Sequence, residues 1–353
     1  MTSLPPLSLA DVCGPSASAR ARQFDLLDAA LSSVGYAYLD GHGIPADLTT
    51  ELFGTTRDFF TGDPRIRHEV AQPEPQQVRG WSGVGSESMS FVLDEESHGD
   101  LKEKMDIGPL DITADDADPY TLRFVNLWPR GHPGFRPAWE EYYRHQRRIG
   151  AALLSLTAEG FDLPRDHFEP LFTDELSMLR ALFFPEQVAE PLPHQFRAGT
   201  HTDYGAFTIV CAESTVGGLQ VFDPDGEWLE IATSPSRLVI LVGDLLAEWT
   251  ANRWPVTVHR TVNPPRSVAF ESSRCLSPST SIRRTRPRSP SCPPWRPVPA
   301  DTPKSSWRGR TWWRSTSGRP PSTTSPVADR TRGRITPWPN HPVDESPRRR
   351  ITP

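Results

Sequence analysis

Six short apolar segments between residues 176 and 262 constrain the fold more than any other feature of this chain. In chain order they read LSMLRALFF, AFTIVCAE, GLQVFDP, EWLEIA, RLVILVG and VTVHRTV. Each is rich in β-branched or aromatic residues, and turn sequences such as DPDG and SPS separate them. Short segments with this spacing are typical of strands in an antiparallel sandwich or barrel.

Helical periodicity dominates the chain before these segments. ARQFDLLDAALSSVG and ADLTTELFGTTRDFF have helical spacing, and a short alternating strand, YAYLDG, lies between them. A longer helix is predicted over 135–161, where the positions on one face are Trp139, Tyr142, Gln146, Ile149, Leu153 and Leu156. Residues 66–125 are predicted to be loop-rich. Helices followed by strands indicate a mainly β fold, in which a helical N-terminal region supports a jelly-roll core.

Composition changes abruptly after about residue 270. Residues 1–270 carry 21 Lys+Arg against 39 Asp+Glu, whereas residues 271–353 carry 17 against 5. The final segment has 16 Pro, 16 Arg and 14 Ser but only seven Leu, Ile, Val or Phe, which are too few to build a core. We therefore predict a disordered, Pro/Arg/Ser-rich tail over 275–353.

One short stretch, GTHTDYGAFTIV, places His201 and Asp203 one residue apart. Side chains two positions apart on an extended strand point the same way, so both can contact one ion. A third ligand is available from His259 in the last apolar segment. Two imidazoles and one carboxylate form the facial triad of non-haem Fe(II) oxygenases. Taken alone, the pattern is more often a turn-capping Asp and an exposed His than a metal site.

Several further motifs occur in a fixed order around the stretch that contains His201 and Asp203, and they strengthen the interpretation as a metal site. VGYAYLDGHGIP, RDFF, KEKMDIG and NLWP precede the HTD stretch, and GGLQVFD, LVILVGD and VTVHRTVNPP follow it. Over roughly residues 5–270 this series resembles the isopenicillin N synthase-like family of Fe(II)/2-oxoglutarate-dependent oxygenases. The resemblance implies a double-stranded β-helix core with His201, Asp203 and His259 as the iron ligands. It also implies oxidation of a small molecule, usually hydroxylation, with O₂ and 2-oxoglutarate as cosubstrates and succinate as a product.

On this basis we predict an N-terminal α/β region over 1–125, a long supporting helix within 126–175 and the oxygenase core over 176–274. The other histidines of the main body are predicted not to be ligands, namely His42, His68, His98, His132, His145, His167 and His194.

Two departures from the family pattern concern the cosubstrate. Phe184 stands where the family commonly has a tyrosine whose hydroxyl helps to hold 2-oxoglutarate, so a hydrogen bond worth about 1 kcal/mol or somewhat more is missing. The family also has Arg-x-Ser after the distal histidine, and this arginine pairs bidentately with the far carboxylate of 2-oxoglutarate. Arg266 is one residue too close to Ser267 for that role. If the reading frame shifts near Arg274, Arg274 is the candidate, and the alternative is a solvated loop arginine.

The apolar strand expected after Arg274 is missing from the sequence. A shift of the reading frame by one base near Arg274 is a hypothesis that explains both this gap and a Pro/Arg/Ser tail that contains five Trp. Restoring one base permits Arg-Leu-Ser-Val-Ala in the expected place. Resequencing the gene through this point tests the hypothesis, and an unambiguous frame as given would contradict it.

Three alternatives stay open at this stage. The first is an Fe(II) oxidase of the isopenicillin N synthase type that needs no 2-oxoglutarate. The second is an inactive, frameshifted relic. The third is a nucleic-acid-binding protein that uses the basic tail, although the acidic main body argues against it and we expect no nucleic-acid partner.

The remaining expectations concern location and assembly. The sequence has no run of eighteen apolar residues and no basic stretch followed by an apolar leader. Its four cysteines are scattered, which is typical of reduced thiols. We therefore predict a cytoplasmic monomer that does not enter the membrane.

Overall fold

The computed structural model of the protein describes residues 5–74, 77–90, 98–117, 123–171, 176–187, 189–213, 218–265 and 279–281. Its strands are β1 (Leu7–Ser8), β2 (Tyr36–Asp40), β3 (Gly80–Ser82), β4 (Glu103–Ile107), β5 (Met178–Phe183), β6 (Ala198–His201), β7 (Phe207–Val210), β8 (Leu219–Phe222), β9 (Trp228–Glu230), β10 (Arg237–Val242), β11 (His259–Thr261) and β12 (Ser279–Ser281). Its α-helices are α1 (Leu9–Cys13), α2 (Ala17–Ser33), α3 (Ala46–Thr61), α4 (Pro64–Glu69), α5 (Phe135–Gly160) and α6 (Asp244–Trp249).

From β5 onward the chain passes back and forth between two sheets. A large sheet has the order β1-β2-β10-β7-β12-β5-β4-β3, and a small sheet has the order β6-β11-β8-β9. The strands β5, β7, β10 and β12 therefore face β6, β8, β9 and β11. This is the double-stranded β-helix, or jelly roll, and it confirms the predicted core.

Two cores result from this arrangement. The outer core lies between the helices and the large sheet, and it includes Leu27, Phe59, Trp139, Leu153, Phe207 and Ile240. The inner core lies between the two sheets, and it consists of Phe184, Val210, Ala212, Val221, Ile231, Val239 and Leu241. Alternate residues of β10 enter each core, so this strand is apolar almost throughout, as expected for a strand covered on both faces.

The long helix α5 supports the large sheet from outside. All six residues of its predicted face are buried, which confirms the helical periodicity read from the sequence. Trp139 packs in the outer core and donates from Nε1 to Thr56 Oγ1 of α3 at 2.9 Å. In the described part of the chain, no helix combines the length and apolarity that a bilayer crossing requires.

The region 66–125 is less loop-rich than predicted, because it contains β3 and β4. These strands extend the large sheet beyond β5, with Met105 opposite Ala181. The prediction is wrong here because every second residue along this segment, Lys102, Lys104 and Asp106, is charged. A buried strand is normally recognised by its apolar residues, and these charges conceal it.

The place of the last jelly-roll strand is occupied by β12. Thr280 lies opposite Ile209 of β7 on one side and Leu179 of β5 on the other. β12 is thus a short strand within the segment 275–353 that was predicted to be disordered, and the predictions of a missing last core strand and of a disordered tail otherwise stay predictions. Strands β5 and β7 both need hydrogen-bond partners there, and backbone pairing requires no apolar side chain. Arg274 and the rest of the tail lie outside the described residues, so their predicted roles stay predictions.

Candidate active site

Two histidines meet across the small sheet. His201 is the last residue of β6, His259 is the first residue of β11, and the two are direct partners in the antiparallel register. Directly opposite residues project from the same face of a sheet, so both imidazoles lie side by side with their ring centres 4.2 Å apart.

Asp203 completes the group from the turn that follows β6. Its carboxylate oxygens lie 3.9 Å from His201 Nε2 and 3.6 Å from His259 Nε2. One ligand atom from each residue lies within 4.8 Å of the others, so a single ion can contact all three. In the described ranges no other group of three or more His, Cys, Asp or Glu is arranged in this way.

The imidazoles are oriented by their own strands. His201 Nδ1 lies 2.8 Å from the carbonyl oxygen of Gly199, and His259 Nδ1 lies 3.0 Å from that of Thr257. A carbonyl only accepts, so each Nδ1 carries the proton and each Nε2 keeps its lone pair. Both lone pairs are thereby available on the side where Asp203 lies, as metal ligation requires.

The environment of His201 also favours the neutral imidazole. Burial, and secondarily the neighbouring His259, lower the pKa of His201 to about 3, although Asp203 opposes this shift. The ring is therefore unprotonated at neutral pH, and a proton does not compete with a metal for Nε2.

The turn that carries Asp203 is fixed by backbone and side-chain hydrogen bonds. The carbonyl of Asp203 accepts from the N–H of Asp244 at 2.8 Å, and Thr208 Oγ1 donates to Asp203 Oδ2 at 2.5 Å. Gly243 allows this approach, because a Cβ there would lie 2.1 Å from the carbonyl oxygen of Gly205. The sequence analysis did not identify Thr208, because its role depends on this fold.

A network of buried charges lies beside the small sheet. Asp100 accepts from the N–H of Gly199 at 3.0 Å, which joins the network to β6 two residues before His201. Arg180 of β5 pairs bidentately with Asp106 of β4, at 2.7 and 2.9 Å. Among the described residues, the network comprises Glu87, Asp100, Lys102, Lys104, Asp106 and Arg180.

Pairing with opposite charges outweighs the effect of burial on the pKa of Glu87 and of Arg180. Burial alone would raise the pKa of Glu87, but Arg180, Lys102 and Lys104 lower it overall. Burial alone would lower the pKa of Arg180, but Asp106 and Glu87, with a smaller contribution from Asp203, raise it overall. Six charges are thereby held in place next to the triad without a net excess of either sign.

Phe184 lies in the inner core, as a wall residue of the jelly-roll interior. It is 1 % exposed, and the guanidinium carbon of Arg197 lies 5.3 Å from the centre of its ring. The structure places this apolar ring inside the core, and its predicted effect on cosubstrate binding stays a prediction. It also shows Arg197 beside Phe184, a neighbour that the sequence analysis did not identify.

A jelly roll that holds two imidazoles and one carboxylate together is the architecture of mononuclear non-haem iron oxygenases. Comparison with protein families agrees with this class. Residues 175–275 match the 2OG-Fe(II) oxygenase superfamily, and residues 4–131 match the family described as non-haem dioxygenase in morphine synthesis N-terminal.

Individual relatives support the same assignment. The chain is 35 % identical over 245 residues to the proline hydroxylase buaE of Petromyces alliaceus, covering 67 % of this chain and 74 % of that protein. It is 29 % identical over 259 residues to the validamycin A dioxygenase of Streptomyces hygroscopicus subsp. limoneus, covering 71 % and 69 %. The chain belongs to the Fe(II)/2-oxoglutarate-dependent oxygenase family and is an enzyme of that class.

Solved structures show the same fold. A protein of the 2OG-Fe(II) oxygenase family from Caulobacter crescentus aligns with a TM-score of 0.66 at 27 % identity, covering 80 % of this chain and 87 % of that one. A full-length Neurospora crassa protein in complex with alpha-KG aligns with a TM-score of 0.65 at 25 % identity, covering 80 % and 85 %. The cofactors of the family are thus Fe(II) and 2-oxoglutarate, as the sequence predicted.

Proposed function

We propose that His201, Asp203 and His259 bind one Fe(II) ion and that this centre hydroxylates a small molecule. The observation that carries the proposal is the convergence of the three side chains, with ligand atoms within 4.8 Å of one another. The donor set fits Fe(II), because two neutral imidazoles and one carboxylate occupy one face of the ion and leave positions for other ligands.

The protein's own contribution is to hold these groups and to exclude water. Backbone carbonyls fix both imidazoles, and Thr208 fixes one oxygen of Asp203. The inner core closes the interior behind them with apolar side chains. When bound, Fe(II) with 2-oxoglutarate and O₂ supplies the oxidising power, and 2-oxoglutarate leaves as succinate and CO₂.

A polar small molecule is the substrate class that we propose. Two relatives of this chain are named as a proline hydroxylase and a validamycin A dioxygenase. The buried charges beside the triad support the same class, because ionised side chains next to a site favour ligands that carry polar or charged groups. Succinate release above the substrate-free rate, measured for amino acids and amino sugars against apolar aromatic compounds, tests this. Preference for the apolar set would contradict it.

The test of the metal site is an anaerobic Fe(II) titration of the purified chain with and without 2-oxoglutarate. We expect one Fe(II) per chain and a weak visible charge-transfer band when 2-oxoglutarate is added. Metal binding without this band would contradict the use of 2-oxoglutarate at this centre. Product formation without succinate would instead favour an oxidase of the isopenicillin N synthase type.

We also propose that the enzyme acts as a monomer in the cytoplasm. The scattered cysteines support a reducing compartment. Light scattering of the purified chain tests the monomer, and fractionation of the source cells tests the location. A dimer mass, or recovery outside the cytoplasmic fraction, would contradict the respective proposal.

A further inference from the structure

A cavity of about 550 Å³ lies between α3, the turn that precedes this helix and the ends of two strands of the large sheet. From those strands it is lined by Glu213, which follows β7, and by Pro235 and Ser236, which precede β10. None of the described residues that line it belongs to the triad, the inner core or the charged network. Its volume is typical of pockets that bind small molecules.

Helix α3 forms one wall of this cavity along much of its length. Ala46, Thr50, Gly54 and Arg57 all line the cavity, and their spacing of four, four and three residues places them on one face of the helix. Ala46 and Arg57 are separated by about 16 Å along the helix axis, at 1.5 Å per residue. The cavity therefore has room for an elongated molecule that lies along α3.

Gly54 keeps the middle of this wall open. Glycine is a poor helix former, yet it stands in the interior of α3. Among the described residues, no atom outside the adjoining helix backbone lies within 4 Å of the position that a Cβ would take. Packing therefore does not require a glycine here, and a larger side chain would project into free space.

An incomplete ion pair lies at one end of the cavity. The Arg57 guanidinium donates from Nη2 to Glu213 Oε1. The comparable pair of Arg20 and Glu159 makes two bonds, at 2.7 and 2.9 Å. In the described part of the chain, however, neither Arg57 Nε nor Glu213 Oε2 has a hydrogen-bond partner, although both atoms are buried. Such atoms are rare and unfavourable. The pair thus retains one unused donor and one unused acceptor.

The rest of the cavity wall carries no net charge. His42 lines the other end, and burial lowers the pKa of its imidazole, although hydrogen bonding to the backbone of Pro235 and Ser236 opposes the shift. The ring is therefore neutral at pH 7. Between the two ends, Ile44 and Phe53 present apolar side chains. The wall is thus neutral and partly apolar, with a hydrogen-bonding pair at one end.

We propose that this cavity binds an uncharged small molecule that has an apolar body and a terminal carboxamide. The carbonyl of a carboxamide accepts a hydrogen bond from Arg57, and its N–H donates one to Glu213, so one group uses both capacities of the pair. Glu213 disfavours a carboxylate at the same place, and Arg57 disfavours an ammonium group. The site is separate from the triad, and the proposal does not depend on the proposed function.

Three compounds with the same apolar body test the class of ligand. Phenylbutanamide, phenylbutanoate and phenylbutylamine differ only in whether the end group is neutral, negative or positive. Their affinities for the purified full chain are measured by titration calorimetry at pH 7. We expect phenylbutanamide to bind at least about tenfold more tightly than either charged compound.

Substitutions at Gly54 test the location of the site. Gly54→Leu fills the cavity without displacing a neighbouring atom, so we expect phenylbutanamide to bind more than about tenfold more weakly. Gly54→Ala is the matched control, because it adds only one methyl group, and its affinity should stay within about threefold of the wild type. Both variants should fold, since alanine and leucine favour a helix more than glycine does.

A change of the ion pair tests the recognition of the end group. Glu213→Gln removes the negative charge and leaves Arg57 without an ionised partner. We therefore expect the order to reverse, so that phenylbutanoate binds more tightly than phenylbutanamide. Glu51→Gln, at an exposed position of the same helix that does not line the cavity, should leave the order unchanged.

Several results would overturn the proposal. Failure of all three compounds to bind the wild type would do so, and equal binding of all three would show apolar contact without recognition of an amide. An unchanged affinity in Gly54→Leu would place the compound elsewhere, as would loss of phenylbutanamide binding in His259→Ala, which alters only the triad. An unchanged order in Glu213→Gln would exclude the ion pair from recognition.

Discussion

The two cores of this molecule are built from the same strands but differ in what they contain. The outer core is large, and the residues that define it are apolar or aromatic. The inner core is a small apolar cluster that adjoins the triad, Arg197 and the charged network. Strand β10 contributes to both, so the same backbone separates a core that stabilises the fold from an interior that holds reactive groups. The residues that stabilise the fold and the residues of the candidate site therefore lie in different places. Mutations in the two places should change the free energy of unfolding and metal binding separately.

The largest effect on metal binding and activity is expected when a proposed metal ligand is removed. His259→Ala removes one of three proposed ligands, so we expect Fe(II) binding to be lost and succinate formation to fall more than about a thousandfold. The metal-free protein should keep its stability within about 1 kcal/mol, because the His259 imidazole belongs to the triad and does not pack in the outer core. Metal titration and urea unfolding of the metal-free protein measure the two effects. His145→Ala, on α5, is the control, and retained Fe(II) binding in His259→Ala would disprove the ligand role.

The reverse pattern is expected in the outer core. Trp139→Ala leaves a large cavity and removes the hydrogen bond to Thr56, so unfolding should become easier by about 3–5 kcal/mol. Fe(II) affinity should be unchanged at temperatures where the variant is folded. Arg136→Ala, one turn earlier on the exposed side of α5, should change stability by no more than about 0.5 kcal/mol. A loss of metal affinity in Trp139→Ala would show that the two cores are not independent.

The outer core, the triad and the charged network also differ in how well the sequence predicts them. The outer core was predictable because apolar residues recur at helical and strand spacing, as along α5. The triad was predictable because His201 and Asp203 are neighbours and the motif order located His259. The charged network was not predictable, since Arg180 and Glu87 are 93 residues apart and charged residues normally indicate a surface. Arg197 was missed for the same reason, and only the fold shows that it is buried beside Phe184.

Removing one partner from the charged network should lower the free energy of unfolding. Asp106→Asn leaves Arg180 with a weaker partner, and we expect a loss of about 3 kcal/mol in the free energy of unfolding. Arg180 and Lys104 hold the pKa of Asp106 below its usual value of 3.8, although burial opposes this. A carboxyl with a lowered pKa stabilises the fold above pH 3.8, and this contribution is lost as the pH falls below that value. Urea unfolding at pH 7 and at about pH 3 should therefore show a smaller difference in Asp106→Asn than in the wild type. An equal difference would contradict the assignment of the shift to this carboxyl.

A subtler change at the triad concerns Thr208. Thr208→Val keeps the shape of the side chain but removes the donor to Asp203 Oδ2, so we expect Fe(II) affinity to fall about tenfold to a hundredfold. Thr208→Ser restores the hydroxyl and should recover most of the affinity. If the serine variant binds Fe(II) as weakly as the valine variant, packing and not the hydrogen bond explains the loss.

The smallest effect is expected from an ion pair whose geometry matches the Arg180–Asp106 pair. Arg237 of β10 contacts Asp40 of β2 bidentately, at 2.7 Å for both bonds, but the two side chains are 41 % and 38 % exposed. Water and salt screen an exposed pair, so Asp40→Asn should cost at most about 1 kcal/mol, and less at high salt. The two pairs share a bidentate geometry but differ in burial and in neighbouring charges, so the ratio of the two losses measures how far the surroundings of an ion pair determine its contribution to stability. Equal losses in urea unfolding of Asp40→Asn and Asp106→Asn would mean that burial is not what distinguishes the network beside the triad.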